Sequence, residues 1–144
     1  MNYFVIRTIL ISLGAASLLQ LFLQQIQSNF IYDFLKTNIT NIQIALLAVN
    51  AATLGIVLTK IREIIEKTGR RKEFESTRNE MLLSIKEQLS LVATSLLIVA
   101  ICSAKNFPID ISQNVFETAL IASFIYSMSI LYDTAKSVFV ILDY

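Results

Sequence analysis

Histidine and tryptophan are absent from the chain, and cysteine and proline occur once each. Without histidine the commonest general base and metal ligand is missing, which excludes Ser–His–Asp triads and Cys–His nucleophiles. A lone cysteine excludes a zinc site built on thiolates. Cys102 sits inside an apolar run, has no partner for an intrachain disulfide, and reads as a small buried apolar residue. No haem or flavin ligand set is present, so no metal, no cofactor and no catalytic residue are expected, and the chain reads as a protein that is not an enzyme. Charge is scarce too. Charged residues make up 16% of the sequence, against roughly 25% in soluble domains. The net charge of +1 gives no bulk attraction for nucleic acid, so no duplex binding is expected.

What the chain has is apolar length. Its 144 residues, 55% of them hydrophobic, suffice for one domain. Four long apolar segments lie at about 4–26, 39–59, 82–104 and 115–142. A membrane-spanning helix needs about 20 mainly apolar residues. Inside lipid only helices and closed barrels satisfy every backbone polar group, and these continuous runs lack a barrel's alternation. The expected fold is therefore an all-α membrane protein with four transmembrane helices in a single domain. "FLKTNITN" separates the first two spans, with Thr37, Asn38 and Thr40 as N-caps, and Pro108 in "KNFPID" breaks the chain before the fourth. Asn38-Ile39-Thr40 matches the glycosylation sequon formally and is set aside. The first segment has Arg7 ahead of it and "GAAS" within it. Cleavage there would leave too short an apolar stretch for a signal peptide, and the pattern continues through "LLQLFLQQI", so it reads as a span.

Charge is concentrated between the second and third spans, in "KIREIIEKTGRRKEFESTRNE". Eight of the twelve basic residues fall there and at its margins: Lys60, Arg62, Lys67, Arg70, Arg71, Lys72, Arg78 and Lys86. The positive-inside rule then places this segment and both termini in the cytoplasm. Ile61, Ile64 and Ile65 carry a helical stripe past the span, Glu63 and Lys67 are spaced for an i,i+4 pair, and Gly69 is a natural stop. Thr77-Arg78-Asn79-Glu80 is a capping box suited to start the third helix. A short cytoplasmic helical hairpin is expected at about 60–81. Arg70, Arg71 and Lys72 at its turn are candidates for binding an anionic ligand or lipid headgroups, set against a plain solvated loop.

Polar residues within apolar spans are costly and face protein or water. Ser17, Gln20, Gln24 and Gln27 recur at spacings of three, four and three, which puts them on one helix face. They are pore-lining candidates, or else helix–helix glue. Asn50, mid-span, needs an interhelical hydrogen bond or a water. Ala48 with Ala52, and Ala51 with Gly55, suit close helix packing. The third span is nearly featureless and is expected to face lipid. In the fourth, Ala119, Ser123 and Ser127 form a small face with Thr134 and Ser137 roughly in line. Asp133 belongs either to the interface or to a pore mouth, where carboxylates favour cations, and Glu117 could form a second ring.

The run "NIQIALLAVNAATLGIVLTKIREI", the charged hairpin after it and two further spans resemble small multi-pass membrane effectors of bacterial anti-phage defence, the Hailong-type channel subunits among them. The resemblance covers overall layout and residues 41–64. It implies a homo-oligomer in the bacterial inner membrane, a gated channel, and a nucleotide or oligonucleotide signal made by a partner enzyme. The alternatives are a structural or scaffold subunit of a larger complex and a holin-like membrane-perturbing protein. Transport by alternating access is disfavoured, since no Pro or Gly pair breaks a span and no repeat relates the halves.

Overall fold

The computed structural model describes residues 3–69, 71–104 and 113–142. Every element among them is helical: α1 is Tyr3–Gln25, α2 is Phe30–Thr68, α3 is Glu75–Ser103 and α4 is Gln113–Leu142. A 3-10 turn over Arg71–Phe74 precedes α3. Each of the four helices is long and apolar enough to cross a membrane. At 1.5 Å per residue α2 is about 58 Å long, roughly twice the thickness of a bilayer's hydrocarbon.

The boundaries follow from local hydrogen bonding. Past Gln25, Gln27 takes a left-handed backbone (φ 51°). Its N–H donates to the Gln24 carbonyl (3.1 Å) and the Ser28 N–H to the Leu23 carbonyl (3.0 Å). That is a Schellman closure with glutamine where glycine is usual. The chain then restarts at Phe30, well before "FLKTNITN". The sequence-based N-caps there are corrected by the structure: the Thr37 hydroxyl donates to the Asp33 carbonyl (3.0 Å) and the Asn38 amide to the Phe34 carbonyl (2.9 Å). Bonded back to residue i−4, these side chains support a helix that runs through them. At the other end of α2, Gly69 has φ 71° and its N–H donates to the Ile65 carbonyl (2.8 Å), the simpler left-handed stop. The expected capping box does not start α3, because the helix is already under way at Glu75, so Thr77 lies within its first turn. The break attributed to Pro108 lies outside the described residues.

α4 is the hub of the bundle. It packs against α1, α2 and α3, and α2 also packs on α3. In α4, 44% of the apolar span is buried, against 17%, 22% and 17% in α1, α2 and α3. The main core joins Ala16 and Leu23 of α1, Tyr32, Leu35 and Ile39 of α2, and Leu120, Ile121 and Ala122 of α4. A second cluster, Leu54, Val57, Ile61 and Met81, closes the α2–α3 end. The third helix does not simply face outward, as its featureless sequence suggests: Met81, Gln88, Val92 and Ser95 form a buried edge. The exposure pattern is inverted relative to a water-soluble bundle. Ten polar or charged residues are buried among the described ones, while Leu18 (71%), Ile56 (70%) and Leu97 (65%) stand on the outside.

The two helix stops differ in their occupant, and that difference is measurable. A non-glycine residue in the left-handed region costs about 1 kcal/mol. Gln27→Gly should therefore stabilise the purified protein by about that much, and Gly69→Gln should destabilise it by a similar amount. Equilibrium denaturation of both variants in the same detergent checks the opposite signs.

Candidate functional site

The buried polar residues form a seam along α4. Gln43 of α2 donates its amide to the Ser123 hydroxyl (2.8 Å) and the Ser127 hydroxyl (3.2 Å). Ser127 donates in turn to the Ser123 carbonyl (2.9 Å), and Ser95 of α3 meets Ser123 at 2.7 Å. One helical heptad along α2 from Gln43, Asn50 donates to the Gln88 side-chain oxygen (2.7 Å) and to the Ser84 hydroxyl (3.1 Å). Ser84 lies 3.3 Å from the Thr134 hydroxyl, whose proton goes to the Ile130 carbonyl (3.0 Å). Ser84 must therefore donate to Thr134, and a directed chain runs from Asn50 through Ser84 and Thr134 to the α4 backbone. Gln43, Asn50, Gln88, Ser95 and Ser127 are all wholly buried.

A second polar group links α1 to α4. The Gln20 amide donates to the Glu117 carboxylate in a buried contact. These two residues, with Leu23, Gln24, Gln27, Ser28, Asn29 and Asn114, line a polar cavity of about 400 Å³ at the Gln27 end of the bundle. Two further cavities lie on the other side of α4. A largely apolar one of about 500 Å³ opens between α1 and α3 over Ala119, Ala122, Ser123 and Tyr126. It adjoins one of about 400 Å³ that contains Glu80, Asp133 and Lys136, and Val5 and Glu87 line both.

The candidate residues fall in five places. Gln20, Gln24 and Gln27 converge on the polar cavity with Glu117, Gln20 from the interior and the other two from exposed positions. Ser17 is exposed and its hydroxyl donates to the Leu13 carbonyl (2.9 Å). Asn50 is inside the bundle, in the interhelical bond that its position demands. Asp133 is half-buried in the cavity at the opposite end from Glu117. Lys72 is exposed on the 3-10 turn. Arg70 and the side chain of Arg71 lie outside the described residues.

Sequence reading missed Gln88, Ser84 and Glu87. All three sit in the charged margin of the third span, where polar residues look solvated. The available signal was spacing: Met81, Gln88 and Ser95 are seven apart and share one face. No family model, curated protein or solved structure matches the chain. The chemistry of these residues is therefore the ground for assigning a function.

The amide pair gives a test of the seam. Asn50→Leu leaves the Gln88 oxygen buried without its donor and should cost about 1–2 kcal/mol. Adding Gln88→Leu removes the stranded group, so the double variant should lose less than the sum of the two single losses. A double-mutant cycle measured by denaturation in detergent reads the coupling directly.

Proposed function

We propose that the protein is a homo-oligomeric pore of the bacterial inner membrane, with the charged segment between α2 and α3 and both termini in the cytoplasm. The observation that carries this reading is the polar cavity of Gln20, Gln24, Gln27 and Glu117. In a chain whose outer surface is so apolar, such a cavity must be filled by water or by a neighbour's polar groups. Its carboxylate makes it attractive to cations. With α1 running outward from a cytoplasmic N-terminus, the cavity is an external vestibule. Asp133 lies toward the cytoplasmic end.

Assembly is supported by a face of α2 that the protomer leaves uncovered. Asn41, Ala45, Ala48, Ala52, Gly55 and Thr59 recur at alternating spacings of four and three, and all are exposed. Small residues in such a row let helix backbones approach closely, and lipid offers them little in return. Between copies they make a packing seam. The gating signal, a nucleotide or oligonucleotide from a partner enzyme, and the role in anti-phage defence follow from the resemblance in layout. Lys72, exposed at the turn, suits an anion chemically. The scaffold reading draws on a different observation: Gln20 is already engaged with Glu117 inside the protomer, as structural glue would be.

Planar-bilayer recording of the purified protein separates the two. A pore gives discrete current steps, and Glu117→Gln should lower cation-over-anion selectivity by about twofold or more, because it removes a carboxylate from the vestibule. Gln24→Leu, at an exposed position, should reduce conductance without changing oligomer size. A scaffold gives no current from verified oligomers, and Gln20→Leu would then alter assembly alone. Anionic oligonucleotides added on the Lys72 side should change open probability. Steps indifferent to them would remove that class of signal and leave the pore.

A further inference from the structure

The groove between α1 and α3 plays no part in the vestibule, and its chemistry changes along its length. At one end it is walled by Ile98, Ala119, Leu13 and Leu91. At the other it reaches Lys86 and Glu87 and continues into the cavity holding Glu80, Asp133 and Lys136. From Ile98 to Lys86 the α3 wall alone is about 18 Å long. An apolar channel that ends in charges of both signs has the polarity of an amphiphile.

Three buried atoms mark it as a binding site. Ser12 lines the groove, is 2% exposed, and its hydroxyl has no hydrogen-bond partner. One carboxylate oxygen of Glu87 and the neighbouring Tyr126 hydroxyl, both lining the groove, are likewise buried without a hydrogen-bond partner. A stranded hydroxyl calls for an acceptor in the occupant, and a stranded carboxylate oxygen calls for a donor. The charged end mixes three carboxylates, Glu80, Glu87 and Asp133, with two amines, Lys86 and Lys136. A purely anionic headgroup satisfies the amines and strands the carboxylates. A quaternary ammonium offers the carboxylates no N–H.

We propose that the groove binds one phospholipid with a zwitterionic, primary-ammonium headgroup, phosphatidylethanolamine. An acyl chain fills the apolar length over Ala119 and Ala122. The phosphate meets Lys86 and Lys136, the ammonium donates to Glu87, Glu80 and Asp133, and an ester carbonyl accepts from Ser12. The inference rests on the membrane embedding proposed above and not on conduction, so a silent bilayer recording leaves it standing.

The test is native mass spectrometry of the full chain released from nanodiscs containing equal phosphatidylethanolamine, phosphatidylcholine and phosphatidylglycerol. Phosphatidylethanolamine should be retained at one per protomer and enriched about tenfold over phosphatidylcholine, the effect of about one charge-assisted hydrogen bond. Ser90 lines the groove from an exposed position, so Ser90→Trp should fill it and abolish retention while the fold survives. Lys86→Gln should weaken retention about tenfold without blocking the groove. Equal retention of the three lipids, or a preference for phosphatidylglycerol, would overturn the headgroup assignment and with it the proposal. So would undiminished retention in Ser90→Trp, or a change in its oligomer size with lipid binding intact, which would make the groove a contact between copies. Failure of the wild-type chain to co-float with vesicles would sink the membrane reading and this proposal together.

Discussion

An unpaired amide or hydroxyl inside an apolar bundle costs more than most single contacts return. The seam meets that constraint for one end of each amide, while Gln43 Oε1, Asn50 Oδ1 and Gln88 Nε2 remain buried without a partner. α4 meets it with short side chains. The Ser127 and Thr134 hydroxyls give their protons to carbonyls one turn back on α4, which leaves their lone pairs free to accept from other helices. Gln43 and Asn50 on α2 are long enough to reach across, and Gln88 and Ser95 on α3 complete the set. A slide of α2 or α3 by one turn would break several of these bonds at once. The polar seam fixes the register that apolar contacts alone tolerate loosely.

The same seam leaves α1 on different terms. α2, α3 and α4 are joined by several shared hydrogen bonds, whereas α1 joins the bundle through α4, with apolar contacts at Ala16 and Leu23 and a deep polar tie from Gln20 to Glu117. On its α3 side it is separated by a groove rather than packed. α1 also carries Ser17 and Gln24 on exposed positions, with Gln27 exposed in the turn just past its end. The helix that bears half of the six candidate pore residues is thus the one least tied to the rest, and a rearrangement of α1 on α4 would reshape the polar cavity and the groove together.

Much of the architecture was legible in the sequence, because span length and hydropathy are local properties. The left-handed stop at Gly69 was legible for the same reason. The turn between the first two helices was not. Thr37 and Asn38 have the composition of caps, but their side chains bond backward within a continuing helix, and only the surrounding backbone decides between the two uses. Thr77 failed as a cap for a related reason: the 3-10 turn had already begun the helix ahead of it. The site was legible in its parts and not in its pairings. Gln20 and Gln24 stood out as costly residues, yet the Gln20 partner lies 97 positions away, and no spacing rule reaches that far. Gln88 stayed hidden because a charged neighbourhood makes a buried amide look like a solvated one.

The closed interior also limits where ions could pass. Within α2, α3 and α4 the central amides are wholly buried and each is bonded to a side chain of a neighbouring helix, so that region is a core rather than a conduit. Conduction, in the proposed pore, has to run along the exposed polar face of α1 or between copies. The two rows of small residues sharpen this point. On α4 Ser123 and Ser127 of the small-residue row are buried against the other helices of the same chain, and Ala119 lines the groove. On α2 the row from Asn41 to Thr59 is left open. The chain has used one close-packing surface to build the protomer and holds the other outside it, and a pore bounded by several protomers requires that division.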